Sequence, residues 1–128
     1  MKKFTRVITI SSFALLAVFV IAQVGKSSLV DQWEEVEEAT KKGLPKTAIE
    51  KLNPLIDRAL KEKAHAVAIR AIAQKINLEG AIQGNKPEEK ITRMEAEMAK
   101  APKEIVPMMN DVLANWYWQY FQRNRWRF

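Results

Sequence analysis

The sequence predicts an all-α chain, about five helices in stacked antiparallel hairpins behind an N-terminal signal or anchor helix. Three observations predict it. Beyond Ser28, apolar residues recur three or four positions apart, the spacing that lines one face of a helix. Glycines and prolines fall between these apolar stripes at helix-length intervals, where they act as caps and breakers. No alternating polar and apolar run of strand length occurs after Ser28.

Residues 1–6 carry Lys2, Lys3 and Arg6, and residues 7–22 form an apolar run broken only by Thr9, Ser11 and Ser12. A basic start followed by such a run is the pattern of a secretory signal or an N-terminal anchor. Val20 and Ala22 occupy the two positions that a signal peptidase reads, which predicts cleavage before Gln23, with a second site at Gly25. As a helix the run spans ~24 Å, short of the ~30 Å hydrocarbon core, which favours cleavage; extended through Val24 it serves as an anchor. The expected organisation is a signal or anchor over 1–22, a linker over 23–28 and a helical domain over 29–128. The expected location is the periplasm or cell envelope, with membrane contact through residues 7–24 if the anchor is kept.

The first helix of the domain starts at Leu29, with Val30, Trp33, Val36 and Thr40 on one stripe and Glu34, Glu35, Glu37 and Glu38 on other faces. Acids early and Lys41 and Lys42 late suit the helix macrodipole. Gly43 supplies a left-handed cap and Pro45 a pre-set first turn, so Gly43-Leu44-Pro45 reads as the turn of a helical hairpin. The second helix sets Ala48, Ile49, Leu52, Ile56, Ala59 and Leu60 inward. Pro54 within it cannot donate to the Glu50 carbonyl, which predicts a kink or a break. The third helix covers about residues 64–79, with Ala68, Ile69, Ile72 and Ile76 inward, and stops at Gly80 before a loop over 80–86. Asn85 with Glu88 three residues on resembles a capping box that opens the fourth helix, whose stripe is Ile91, Met94 and Met98 and whose end is Ala101-Pro102. The fifth helix begins between Pro102 and Pro107 and runs into an aromatic stretch. The hairpins are tetratricopeptide-like and solenoid-like. A 34-residue shift nevertheless places Trp33 on Val67 and Ala48 on Ile82, so the stacking carries no true repeat.

Residues 116–128 hold seven of the chain's eleven aromatic residues and three arginines. At about 100° per residue, Met109, Leu113, Trp116, Tyr117 and Tyr120 share a core face with Phe121 at its border, while Trp118 falls among Asp111, Asn115, Gln122 and Arg125 on the opposite side. Trp118 therefore needs a partner. Regular helix should end or bend near Arg123 and release the arginines. One reading is that the aromatics close a small helical core. The other is a docking surface, because Trp, Tyr and Arg dominate interface hot spots. The candidate partner-binding residues are Trp116, Trp118, Tyr120, Phe121, Arg123, Arg125, Trp126 and Arg127.

The formal charge is +6, but Lys2, Lys3 and Arg6 belong to the export segment and the three C-terminal arginines account for the remaining excess of 18 basic over 15 acidic residues. Basic character is thus local, and a translocated protein rarely meets nucleic acid, so no nucleic-acid partner is expected. Absence of cysteine excludes thiolate chemistry, a disulfide scaffold and a lipid-modified N-terminal cysteine. Past the export segment there is one histidine, His65, and no serine beyond Ser28, an inventory that does not supply a nucleophilic triad or a common metal site. No glycine-rich phosphate loop is present. No enzymatic activity, cofactor or metal is expected.

Trp33, Gly-Leu-Pro-Lys-Thr-Ala at 43–48, Gln-Gly-Asn-Lys-Pro-Glu-Glu-Lys-Ile at 83–91 and the terminal block at 115–128 together resemble the N-terminal helical region of large bacterial alpha-macroglobulin-like proteins. In that family such a segment follows an export signal and precedes β-sandwich domains that trap proteases or act in envelope defence. The resemblance implies a periplasmic or surface module at the head of a larger assembly, and a chain that is a fragment or a split product. The thioester motif of the family requires a cysteine that this chain lacks. The expected function is a non-catalytic exported interaction module whose partner is another protein or the downstream domains of a macroglobulin-like chain. The alternative is a membrane-anchored helical protein whose aromatic and arginine block contacts lipid.

Overall fold

The computed structural model describes residues 28–127. The signal or anchor expected over 1–22 and the linker through residue 27 lie outside the described residues. Within them the chain is all helical: α1 (Leu29–Lys41), α2 (Pro45–Lys61), α3 (His65–Ile82), α4 (Pro87–Lys100), α5 (Val106–Asn124) and a 3-10 turn (Arg125–Arg127), with no strand among the described residues.

α1 begins in a capping box. The Asp31 amide donates to Ser28 Oγ at 3.0 Å, and the Ser28 amide donates to Asp31 Oδ2 at 2.7 Å, which satisfies two of the amides a helix start leaves unpaired. Ser28 thus belongs to the helical domain, where the sequence had suggested a linker. α1, α2 and α3 all end in the same way. A left-handed residue follows each helix (Gly43 at φ 69°, Lys63 at φ 56°, Gly84 at φ 93°). The next amide then donates back to a carbonyl five residues earlier: Leu44 to Ala39 at 3.0 Å, Ala64 to Ala59 at 2.8 Å, Asn85 to Gly80 at 2.6 Å.

Each helix packs on its sequence neighbours, α2 with α3 most extensively, and α5 also reaches back to α3. Two apolar clusters result. Val36, Ala39, Ala48, Leu52, Leu55 and Ala71 form the first, between α1, α2 and α3. Ile69, Ile72 and Ile76 of α3 join Ile91, Met94, Ile105, Met109 and Leu113 in the second. α3 is apolar on two sides because it serves both clusters, as expected of a helix covered on most of its surface. Ile56 of α2 touches both clusters.

Several local expectations change. Helix α2 runs through Pro54 without a break. Pro54 and Glu50 are both exposed, so water can take the carbonyl bond that proline cannot make. α3 does not stop at Gly80 but continues to Ile82, and Gly80 is buried. A Cβ at Gly80 would stand 2.9 Å from Cε of Lys90, so the glycine marks the close passage of the Lys90 stem across α3 rather than a cap. Asn85 is left-handed at φ 56° and forms no capping box; Lys86 is the residue before α4, with no side-chain cap. Val30 and Tyr117, both expected inward, are 66% and 48% exposed.

Candidate functional site: the aromatic and basic end of α5

The inner stripe of α5 is built from Met109 and Leu113, both buried, continued by Trp116 and Tyr120, which are half-buried against the second cluster. Trp118, two residues and about 200° round from Trp116, points away from that cluster and is 59% exposed. Its partner is Phe121 on the next turn, stacked at a centroid distance of 5.9 Å. Stacking within one exposed helix face covers only part of an indole, and Phe121 itself is 45% exposed. Tyr117 borders the same face. Its hydroxyl donates to Glu95 Oε1 of α4 at 2.7 Å, and this bond to a carboxylate raises the phenol above its ordinary pKa.

Regular helix ends at Asn124, one residue beyond the expected point, and the chain tightens into the 3-10 turn. Asn124 Nδ2 donates to the Tyr120 carbonyl at 2.9 Å, and the Trp126 indole donates to the Arg123 carbonyl at 3.1 Å, one of the backbone acceptors the helix end leaves open. These bonds fix Trp126 while leaving it 76% exposed, with the Arg127 guanidinium 5.1 Å from its ring centroid. Among the described residues no carboxylate forms an ion pair with Arg123, Arg125 or Arg127.

The eight candidate residues therefore fall into three groups. Trp118 and Phe121 form the outer face. Arg125, Trp126 and Arg127 form the turn. Trp116, Tyr120 and Arg123 turn to the other side, where they line a cavity of about 70 Å³ between α3, α4 and α5. Asn77, Asn85, Pro87, Lys90 and Gln119 complete that cavity. Sequence reasoning missed these five. The signal available was the spacing of Trp116, Gln119, Tyr120 and Arg123, which places a polar and a cationic residue on the same stripe as two aromatics.

The other tryptophan of the described domain outside α5 and its turn, Trp33, is held differently. Its indole donates to Glu37 Oε1 at 2.8 Å, and the Arg70 guanidinium lies 4.0 Å from its centroid while reaching Glu37 at 3.5 Å. His65, the first residue of α3, is half-exposed. The described residues contain no cluster of three or more His, Asp or Glu side chains arranged to hold a metal ion. None of their helices is long and apolar enough to cross a membrane. Comparison with family models, with curated proteins and with solved structures finds no match to this chain.

Proposed function

We propose that this chain is a non-catalytic helical interaction module, with stacked tetratricopeptide-like hairpins that present the outer face of α5 and the basic turn after it to an acidic protein surface. The observation that carries this reading is the pairing of two widely exposed indoles, Trp118 and Trp126, with the arginines of the turn, Arg125 and Arg127, which have no carboxylate partner among the described residues. Outer faces of terminal helices in stacked arrays are ordinarily polar. An aromatic one rimmed by cations has the composition of an interface hot spot and the charge to select an acidic partner. The apolar run over residues 7–22 supports export to the periplasm or envelope. The resemblance to the head of alpha-macroglobulin-like proteins supports a partner among the sandwich domains of such an assembly.

A photo-crosslinking residue placed at position 118 or 126 of the full chain, activated in envelope fractions, tests this. The expected product is a polypeptide adduct at both positions, mapped by mass spectrometry to an acidic segment. Trp118→Ala with Trp126→Ala should then weaken binding of that segment by ~30-fold or more, equivalent to about 2 kcal/mol. Because both indoles are exposed, the melting temperature should stay within about 3 °C of wild type. Adducts to lipid in place of polypeptide would establish the membrane-contact alternative instead.

A further inference from the structure

The cavity behind the aromatic face has its own chemistry. Of the residues lining it, two are cationic, Lys90 and Arg123, three are amides, Asn77, Asn85 and Gln119, and none is acidic. Neither cation has an ion pair among the described residues, and Glu89, one position from Lys90, is engaged by Lys86 at 3.3 Å. The aromatic wall, Trp116 and Tyr120, packs against the second apolar cluster, so that side of the cavity is preformed. Two cations in one recess repel each other, and a net positive recess with amides around it is stabilised by an anion.

The backbone is shaped to allow this arrangement. Gly80 is the position across which the Lys90 stem lies, and a methyl group there would meet Lys90 Cε at 2.9 Å and Cγ at 3.4 Å. The absent side chain lets Lys90 lie along α3 at the edge of the cavity. At about 70 Å³ the recess is far smaller than the 360 Å³ groove beside Trp33, so it admits the end of one side chain rather than a folded segment.

We propose that this cavity is a carboxylate-receiving subsite, in which Lys90 and Arg123 clasp one Asp or Glu side chain of the docking protein. The guanidinium offers the paired N–H donors that match a carboxylate, and the ammonium supplies a second charge. This assignment rests on the docking reading above for the source of the carboxylate, but its residues are different from those that test that reading.

The test is a titration of the ¹⁵N-labelled full chain with octaglutamate, followed through the Trp116 indole and Arg123 Nε resonances. Saturable shifts are expected with octaglutamate and not with octaglutamine. Lys90→Gln should weaken the response at least fivefold. Gly80→Ala should do so comparably, by displacing the Lys90 ammonium with its charge retained, while the melting temperature is unchanged or raised. Trp118→Ala should leave the titration as it is, so loss of docking through the outer face and loss of the subsite are separable. Equal affinity in wild type, Lys90→Gln and Gly80→Ala would overturn the assignment. So would larger shifts with inorganic phosphate or with phosphatidylglycerol vesicles than with octaglutamate, since the recess would then be a phosphate site.

Discussion

Left-handed backbone is where single residues carry the most consequence in this chain. Gly43 and Lys63 occupy the same position in the same helix-ending motif, at φ 69° and φ 56°. A side chain in that conformation costs roughly 1–2 kcal/mol, which glycine avoids. Nothing lies within 4 Å of a Cβ built on Gly43, so Gly43→Ala should lose about 1 kcal/mol through backbone strain alone. Lys63→Gly should move in the opposite direction, by up to about 1 kcal/mol, because relief of strain exceeds the extra freedom glycine gives the unfolded chain. Urea unfolding of the two variants checks this: the same sign for both would show that the turns are not equivalent. Gly43 was legible in the sequence because glycine before Leu-Pro is a turn signal. Lys63 was not, because lysine carries no such signal and only the packing of α2 on α3 sets its φ. Tyr117 was misplaced for a related reason. It sits at the edge of a broad helical face, where periodicity cannot decide between core and a bond to Glu95 on the neighbouring helix.

Helix ends respond to pH through the groups that cap them. Asp31 is held below its ordinary pKa by the Ser28 backbone amide first and the Ser28 side chain second. A carboxylate depressed in the folded state stabilises it above the unfolded pKa of about 4, and loses that contribution as pH falls through the folded value. The stability difference between wild type and Asp31→Asn should therefore be full at neutral pH and shrink as the pH falls below 4. A difference that stayed constant from pH 6 to pH 2 would remove Asp31 from the cap. Ser28→Ala should cost about 1 kcal/mol at neutral pH, the ordinary value of an N-cap. Tyr117 works in the other direction. Its folded pKa is raised by the bond to Glu95, so its contribution is present below about pH 10 and is lost as pH rises through the folded value. The elements themselves were legible from apolar spacing and from Gly43, Pro45, Pro87 and Pro107. Two boundaries were not. Gly80 reads as a stop until Lys90 is seen lying across it, and Ser28 reads as linker until Asp31, at the third helical position, is seen bonded back to its amide.

The whole molecule depends on α3, which contributes Ala71 to one apolar cluster and Ile69, Ile72 and Ile76 to the other. Sequence spacing showed α3 as an inward helix but could not show two partners, because a stripe on one side and a stripe on the next merge into one apolar run. The same limit applies to the cavity beside Arg123, which needs three helices in place before its lining exists. A neighbour-to-neighbour array can lose cooperativity when its units are joined weakly. Here the join is covalent within one helix and reinforced by Ile56 of α2, which touches both clusters, so the two halves should unfold together. Leu52→Ala in the first cluster and Met94→Ala in the second, each fully buried, should each cost about 2–5 kcal/mol. Hydrogen exchange decides how that cost is distributed. If α3 couples the halves, Leu52→Ala lowers protection of the slowest amides of α4 as much as those of α2, with a single transition by far-ultraviolet dichroism and by tryptophan fluorescence. If protection falls in α1 and α2 alone while α4 and α5 keep theirs, the clusters are separate folding units, and the docking face on α5 stands on the second cluster without help from the first.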